Sequence, residues 1–170
     1  MISKKIEAAL NKQIKIEEHS SRIYMAMASW CEANGFPGAA KFLYAHTDEE
    51  RMHMLKFVRF LNDRNGHTVL EALEQPHHEY SSLEELFNEV LHHEQFVSKS
   101  INDLVDLCLE EKDHTTNNFL QWFVMEQIEE ESLVSEIVDK IKLIGDAKAG
   151  YFYMDNYLAG LAAAEAAPVE

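Results

Sequence analysis

An all-α four-helix bundle, with a long crossover between its second and third helices and a short C-terminal fifth helix, is the fold this sequence predicts. Three observations carry it. Four stretches of about 27 to 30 residues repeat their inward positions at alternating intervals of three and four, the spacing of one helix face. Glycine and proline, only 6 and 3 in 170 residues, include the breaks at Gly35, Pro37, Gly38, Gly66 and Gly145 that separate these stretches. The connections after the first and third stretches are short, whereas about sixteen residues separate the second from the third.

The first helix is expected over about residues 5–34, with the seam Ile6, Leu10, Gln13, Glu17, Ser20, Tyr24, Met27 and Cys31, stopped by Gly35-Phe36-Pro37-Gly38. The second, about 38–65, steps through Ala39, Leu43, His46, Glu50, His53, Phe57 and Phe60 and takes Gly66 as its stop signal. Residues 66–81 then form the crossover; extended, they reach about 50 Å, enough to return along a helix of about 40 Å. The third helix, about 82–111, starts at a capping box made by Ser81 or Ser82 with Glu84 or Glu85, and its seam runs Leu83, Phe87, Val90, Glu94, Val97, Ile101, Leu104 and Cys108. After the polar turn Lys112 to Thr115, the fourth helix, about 115–144, places Phe123, Gln127, Glu130, Val134, Ile137 and Ile141 inward and ends at Gly145. A fifth helix is expected over about 150–163, and the Ala-rich end, Ala162 to Glu170, is expected to fray.

The length of 170 residues suits one domain, 1–170, with a single core. No apolar run is long enough to span a bilayer, and the charged N-terminus has no apolar signal region, so a cytoplasmic location is expected. Thirty acidic against 15 basic residues give a formal charge of −15, which repels phosphate backbones and argues against nucleic acid as a partner while favouring cations. Cys31 and Cys108 have no CxxC spacing, and the crossover puts them at opposite ends of the bundle, so both are read as reduced, buried thiols.

The seams share one irregularity. Glu17, Glu50 with His53, Glu94, and Gln127 with Glu130 occupy core positions near the middle of their own helices, so they meet at one level. A single Glu on a seam is ordinarily a boundary residue whose head reaches water. Several at matched heights in a dry centre would repel one another and hold their protons to high pH unless a cation lay between them. Oxygen donors with one nitrogen suit iron or manganese, and one carboxylate per helix with Glu-x-x-His at i, i+3 is the ligand arithmetic of a two-metal carboxylate site. Gln127 either hydrogen-bonds a ligand or lines a second-metal pocket. Tyr24 either packs, hydrogen-bonds a ligand or donates an electron.

Along essentially its whole length the chain resembles the non-haem bacterial ferritins. The resemblance lies in Glu17 with Tyr24, in "DEERMHM" with Glu49, Glu50 and His53, in "HHEQ" with Glu94, and in "FLQWFVMEQIEEE" with Glu126, Gln127, Glu129 and Glu130. It implies a ferroxidase centre in which Glu17, Glu50 and His53 hold one iron and Glu50, Glu94 and Glu130 the other. It also implies a third iron site at Glu49, Glu126, Glu129 and Glu130. The implied activity is oxidation of Fe(II) by dioxygen or peroxide, followed by storage of a ferric oxyhydroxide mineral within a homo-oligomeric shell of 24 subunits. Iron passage near the start of the fourth helix makes Asp113, His114, Thr116 and Asn117 candidates.

Departures from neighbouring families narrow the resemblance. Bacterioferritins carry a second Glu-x-x-His on the fourth helix, where this chain has Glu126-x-x-Glu129 and Gln127-x-x-Glu130; their haem-ligating Met follows the bridging Glu directly, where Arg51 stands here. No haem is therefore expected. The cysteine-rich iron site of rubrerythrins is missing, and the DNA-binding mini-ferritins place their ligands across a subunit interface. The pairs His77-His78 and His92-His93 are read as solvated or structural. Two other function classes share parts of this pattern. A non-catalytic binding bundle gives no reason for five inward ligands, and a peroxide-reducing or oxygenating di-iron enzyme would form a small particle without a mineral.

Overall fold

The computed structural model describes residues 2–145 and 148–165, and within them five helices: α1 Lys4–Ala33, α2 Pro37–Asp63, α3 Leu83–Glu110, α4 His114–Ile144 and α5 Lys148–Glu165. Each agrees with its sequence expectation to within two residues. Of the Ala-rich end expected to fray, residues 166–170 lie outside the described residues, and Ala162 to Glu165 continue α5. No helix of the described residues is long and apolar enough to cross a membrane.

Local chemistry sets the helix ends. Ser3 Oγ accepts the Ile6 amide at 3.2 Å, Ser82 Oγ the Glu85 amide at 3.0 Å, and Asp113 Oδ1 the Thr116 amide at 3.0 Å. The expected capping box resolves into Ser82 as cap, with Glu85 reaching back one residue further to the Ser81 amide at 2.6 Å. The ends of α1, α2 and α3 share one pattern, in which a left-handed residue lets the next amide return five residues: Phe36 to Cys31, Gly66 to Leu61 and Asp113 to Cys108, each at 2.9 Å. At the end of α2 the left-handed residue is Asn65 rather than Gly66. The Gly66 hydrogen is needed for a different reason, since a Cβ there would strike the Leu61 side chain.

The core falls into two apolar clusters. One joins the end of α1 (Tyr24 to Cys31), the start of α2 (Ala39 to Leu43), the start of α3 (Leu83 to Val90) and the end of α4 (Val134 to Ile141). The other joins the start of α1 (Ile6 to Ile14), the end of α2 (Met54 to Leu61), the end of α3 (Val97 to Cys108) and the start of α4 (Leu120, Phe123). This grouping requires α2 and α3 to run parallel and α1 and α4 to run against them, the topology the long crossover predicted. Cys31 and Cys108 are buried free thiols in different clusters.

The crossover is tied down along α1. Asn11 donates to the His67 carbonyl at 2.9 Å and accepts the Val69 amide at 2.7 Å, Lys15 pairs with Glu71 at 3.0 Å, and Tyr80 closes against Trp30 with ring centroids 5.5 Å apart. The fifth helix docks on the start of α2, where Phe36 provides no side-chain cap. Asp155 Oδ1 accepts the Ala39 amide at 2.9 Å from across the interface, putting a carboxylate at the positive end of α2. Between the two apolar clusters lies a belt of buried polar groups.

Candidate metal centre

Every seam carboxylate singled out in the sequence lies in that belt. Glu17 and Glu94 are 1% exposed, Glu50 and His53 3%, and Glu130 7%, so five ionisable side chains from four helices share one dry interior. Helix geometry explains their convergence: each lies on its seam where its helix passes from one apolar cluster to the other, Glu17 between Ile14 and Tyr24, Glu50 and His53 between Leu43 and Phe57, Glu94 between Val90 and Val97, and Glu130 between Phe123 and Val134.

Glu17, Glu50 and His53 form one group whose ligand atoms lie within 4.8 Å of one another. His53 Nδ1 is 3.7 Å from Glu50 Oε2 and 4.0 Å from Glu17 Oε2. Neither carboxylate oxygen has a hydrogen-bond partner among the described residues. Buried oxygens are ordinarily paired, so two facing a common space with an imidazole nitrogen form a donor set suited to a cation. The His53 ring is fixed by edge contacts to Trp122 at 5.3 Å and Phe123 at 5.8 Å.

Two further groups adjoin the first. His46, Glu49 and Glu130 lie within the same mutual reach, as do Glu49, His53 and Glu126. Glu49 and Glu126 are half-buried, whereas Glu129 is exposed and falls in neither group. Lys56, its ammonium 2.8 Å from the centroid of the Trp122 ring, is the nearby cation that Glu49 and Glu126 feel; burial lowers its pKa and the two carboxylates act against that lowering.

Glu94 is held differently. Its Oε1 accepts the Tyr24 hydroxyl and its Oε2 accepts Gln127 Nε2 at 3.0 Å. Of the roles left open for Gln127 and Tyr24, hydrogen bonding to a carboxylate is the one seen, and Glu94 lies outside the three metal-capable groups.

Electrostatics follow from burial. Desolvation, then repulsion from Glu50, holds the Glu17 carboxyl well above the ordinary range. Desolvation, then Glu94, does the same for Glu50. Glu94 is pushed up to about 7 by burial and by Glu130, against the opposing hydrogen bonds of Tyr24 and Gln127. Glu49 and Glu126 are raised mainly by burial, and Tyr24 is held well above its usual value by burial and Glu94. Burial and mutual repulsion thus disfavour the charged forms of Glu17, Glu50 and Glu94, and a cation among them would favour those forms.

Two seam residues not counted among the site residues belong to it. Gln13 Nε2 donates to Glu17 Oε1 at 2.8 Å, while Ser100 Oγ donates to Gln13 Oε1 at 2.6 Å, which fixes the amide orientation. His46 lies one turn before Glu50 with Nε2 3.4 Å from Glu130 Oε2. The signal for both was a polar residue on the seam four positions before a ligand candidate. Of the other histidines, His93 bonds Ser20 Oγ through Nε2 at 2.7 Å, and burial brings its pKa down to about 4; His77 is exposed and pairs with Glu89 at 3.1 Å. Of the candidates for iron passage, Asp113 and Thr116 are engaged with Arg64 at 3.1 Å, and Thr116 is fully buried.

Comparison with known proteins agrees with this geometry. The ferritin-like domain family profile matches residues 7–144. A bacterial non-haem ferritin of Campylobacter jejuni is 44% identical over 162 residues, covering 95% of this chain and 97% of its own. A probable bacterial non-haem ferritin-like protein of Haemophilus influenzae is 43% identical over 161 residues, covering 95% and 98%. Among solved structures, an Archaeoglobus fulgidus ferritin engineered to a closed form superposes with a TM-score of 0.92 at 40% identity over 94% of this chain and 97% of its own. The open-pore ferritin of the same archaeon matches with a TM-score of 0.92 at 40% identity over 93% and 96%. A family match over most of the chain, relatives of this identity and a shared bundle together establish that the chain belongs to the ferritin family, alongside the bacterial non-haem ferritins.

Proposed function

We propose that this protein stores and detoxifies iron: a single cytoplasmic domain, 1–170, that oxidises Fe(II) at a paired ferroxidase centre and deposits ferric oxyhydroxide inside a hollow shell of 24 copies. The observation that carries the reading is the set of buried carboxylate oxygens on Glu17, Glu50 and Glu130 that have no hydrogen-bond partner among the described residues, within reach of imidazole nitrogens. Their burial costs free energy that a divalent cation offsets. Exposed Phe152 and Tyr153 on α5 suit contact with further copies.

Iron is the substrate here. Glu17, Glu50 and His53 would hold one ferrous ion, and Glu50, Glu94 and Glu130 a second, with Glu50 shared. Two ions held together can each give one electron to the same dioxygen molecule, which takes two protons and leaves as hydrogen peroxide; with hydrogen peroxide as oxidant, the two electrons cleave its O–O bond and two protons from solvent complete two water molecules. Anionic oxygen ligands stabilise the ferric charge more than the ferrous and so favour oxidation. Glu49, Glu126, Glu129 and Glu130 would serve a third ion passing to or from the pair. Haem has no part in the reading, because Arg51 stands where the haem-ligating Met of bacterioferritins would be.

The test is aerobic Fe(II) loading followed by absorbance, sizing and electron microscopy, with Glu50→Ala and Glu130→Ala alongside. Rapid oxidation, a large hollow particle and an electron-dense core are expected in the wild type, with rapid oxidation lost in both variants while the shell persists. Unchanged rates in both would remove these side chains from the chemistry, and a small particle without a core would favour a substrate-converting di-iron enzyme.

A further inference from the structure

We propose that Met52 and Met125 form a two-thioether trap for hydrogen peroxide leaving the paired centre, each sulfur taking one oxygen atom to become methionine sulfoxide. The proposal rests on the iron-oxidising reading, which with dioxygen as oxidant supplies the peroxide.

Position and exposure single these two out. Of the six methionines among the described residues, Met27, Met54 and Met154 are buried and fill the core, whereas Met25, Met52 and Met125 are 51%, 60% and 57% exposed. The two most exposed share one face. Met52 on α2 lies three residues after Glu49 and four before Lys56, and Met125 on α4 lies three after Trp122 and four before Glu129, spacings that make neighbours on a helix surface. The two helices meet on this face at two heights: Lys56 Nζ stands 2.8 Å from the centroid of the Trp122 ring, and ligand atoms of Glu49, His53 and Glu126 lie within 4.8 Å of one another. Because α2 and α4 run antiparallel, Met52 and Met125 both fall between these two contacts.

The polar interior opens on the same face. His53 is buried and belongs both to the innermost group, with Glu17 and Glu50, and to the group with the half-buried Glu49 and Glu126. A polar line therefore runs from the paired centre to the surface that the two thioethers flank. Peroxide leaving along it meets them before it is diluted into the bulk. Thioether sulfur is soft and polarisable, and its oxidation to the sulfoxide is an ordinary reaction of methionine. The sulfur lone pair attacks one peroxide oxygen, an S–O bond forms and the O–O bond breaks; the other oxygen takes the proton from the first and leaves as water. Sulfur loses two electrons and peroxide gains them, so no further reagent is needed. The competing account is that both are ordinary surface methionines, oxidised only in proportion to their exposure.

Assembled, iron-free protein is loaded aerobically with Fe(II) in the presence of catalase, stripped with a chelator and mapped by peptide mass spectrometry, with oxygen uptake recorded in the same samples. Catalase removes peroxide that reaches the bulk. Sulfoxide at Met52 and Met125 is expected at least about fivefold above that at Met25, which is similarly exposed but sits on α1. Iron-free protein treated with hydrogen peroxide alone should oxidise all three to similar extents. The double variant Met52→Leu, Met125→Leu keeps the side-chain bulk and removes the sulfurs. Without catalase it should release up to about two more peroxide molecules per subunit than wild type over the first additions of iron, one for each lost thioether. Equal sulfoxide at all three methionines under turnover, or the same excess at Met52 and Met125 in the iron-free treatment, would reduce the selectivity to exposure and overturn the proposal. Unchanged peroxide release from the double variant would overturn it as well. Normal oxygen uptake with no sulfoxide at Met52 or Met125 would overturn it and leave the ferroxidase reading intact, whereas no oxygen uptake on adding iron would overturn both.

Discussion

Replacing Glu94 by Gln should stabilise the metal-free protein, and the gain should appear only as pH rises. Glu94 titrates near 7 in the fold, against 4.5 for a free carboxyl, because burial and Glu130 disfavour its charge. The unfolded chain therefore releases the proton first. Nothing is lost below pH 4.5, a penalty grows through the interval between the two values, and it is constant above 7. At about 1.4 kcal/mol per pH unit, the full penalty is about 3 kcal/mol at alkaline pH. Gln carries no charge to desolvate, but it places an amide opposite Gln127 Nε2, which now donates to Glu94 Oε2 at 3.0 Å. Turning the Gln127 amide to accept instead sacrifices a hydrogen bond worth about 1 kcal/mol. The net advantage is then close to zero near about pH 5 and about 2 kcal/mol near about pH 8. Guanidinium unfolding of chelator-treated wild type and Glu94→Gln across that range measures it. A separation between the two proteins that stays constant with pH would refute the charge argument.

Three further outcomes are expected. His93 has the opposite linkage: its pKa falls from 6.5 to about 4 on burial, so the stability it contributes above 6.5 is lost as pH drops toward 4. The loss amounts to about 3 kcal/mol, and His93→Gln should flatten the acid limb of the stability profile. Gln13→Leu removes the donor to Glu17 Oε1 and should weaken binding of the first metal ion about 10- to 100-fold, the worth of a hydrogen bond to a charged group. Calorimetry with Zn(II) reads this, with Ser100→Ala giving a smaller effect in the same direction. Gly38→Ala drives a methyl group into the Asp155 carbonyl and should lift α5 from the start of α2. Loss of the Ala39 to Asp155 bond would show as faster amide exchange at Ala39 and earlier proteolysis of the C-terminal helix, and unchanged protection would count against the clash.

The helix number, the crossover and the mid-bundle position of the carboxylates were legible in the sequence because each follows from local periodicity and chain reach. Alternating steps of three and four put Glu17, Glu50, Glu94 and Glu130 on their seams whatever the partner helix does, and a sixteen-residue connection only allows a return along the bundle. Tertiary packing decided what each polar group meets. Gln127 and Tyr24 bond Glu94 because α1, α3 and α4 approach at that height, a contact that separations of 33 and 70 residues do not encode locally. Glu129 and Glu130 are adjacent in sequence, yet about 100° of helix rotation leaves one in water and turns the other toward His46. Gln13 and His46 looked like ordinary seam residues because periodicity assigns a residue to a face, while a ligand's role depends on distances between atoms of different helices.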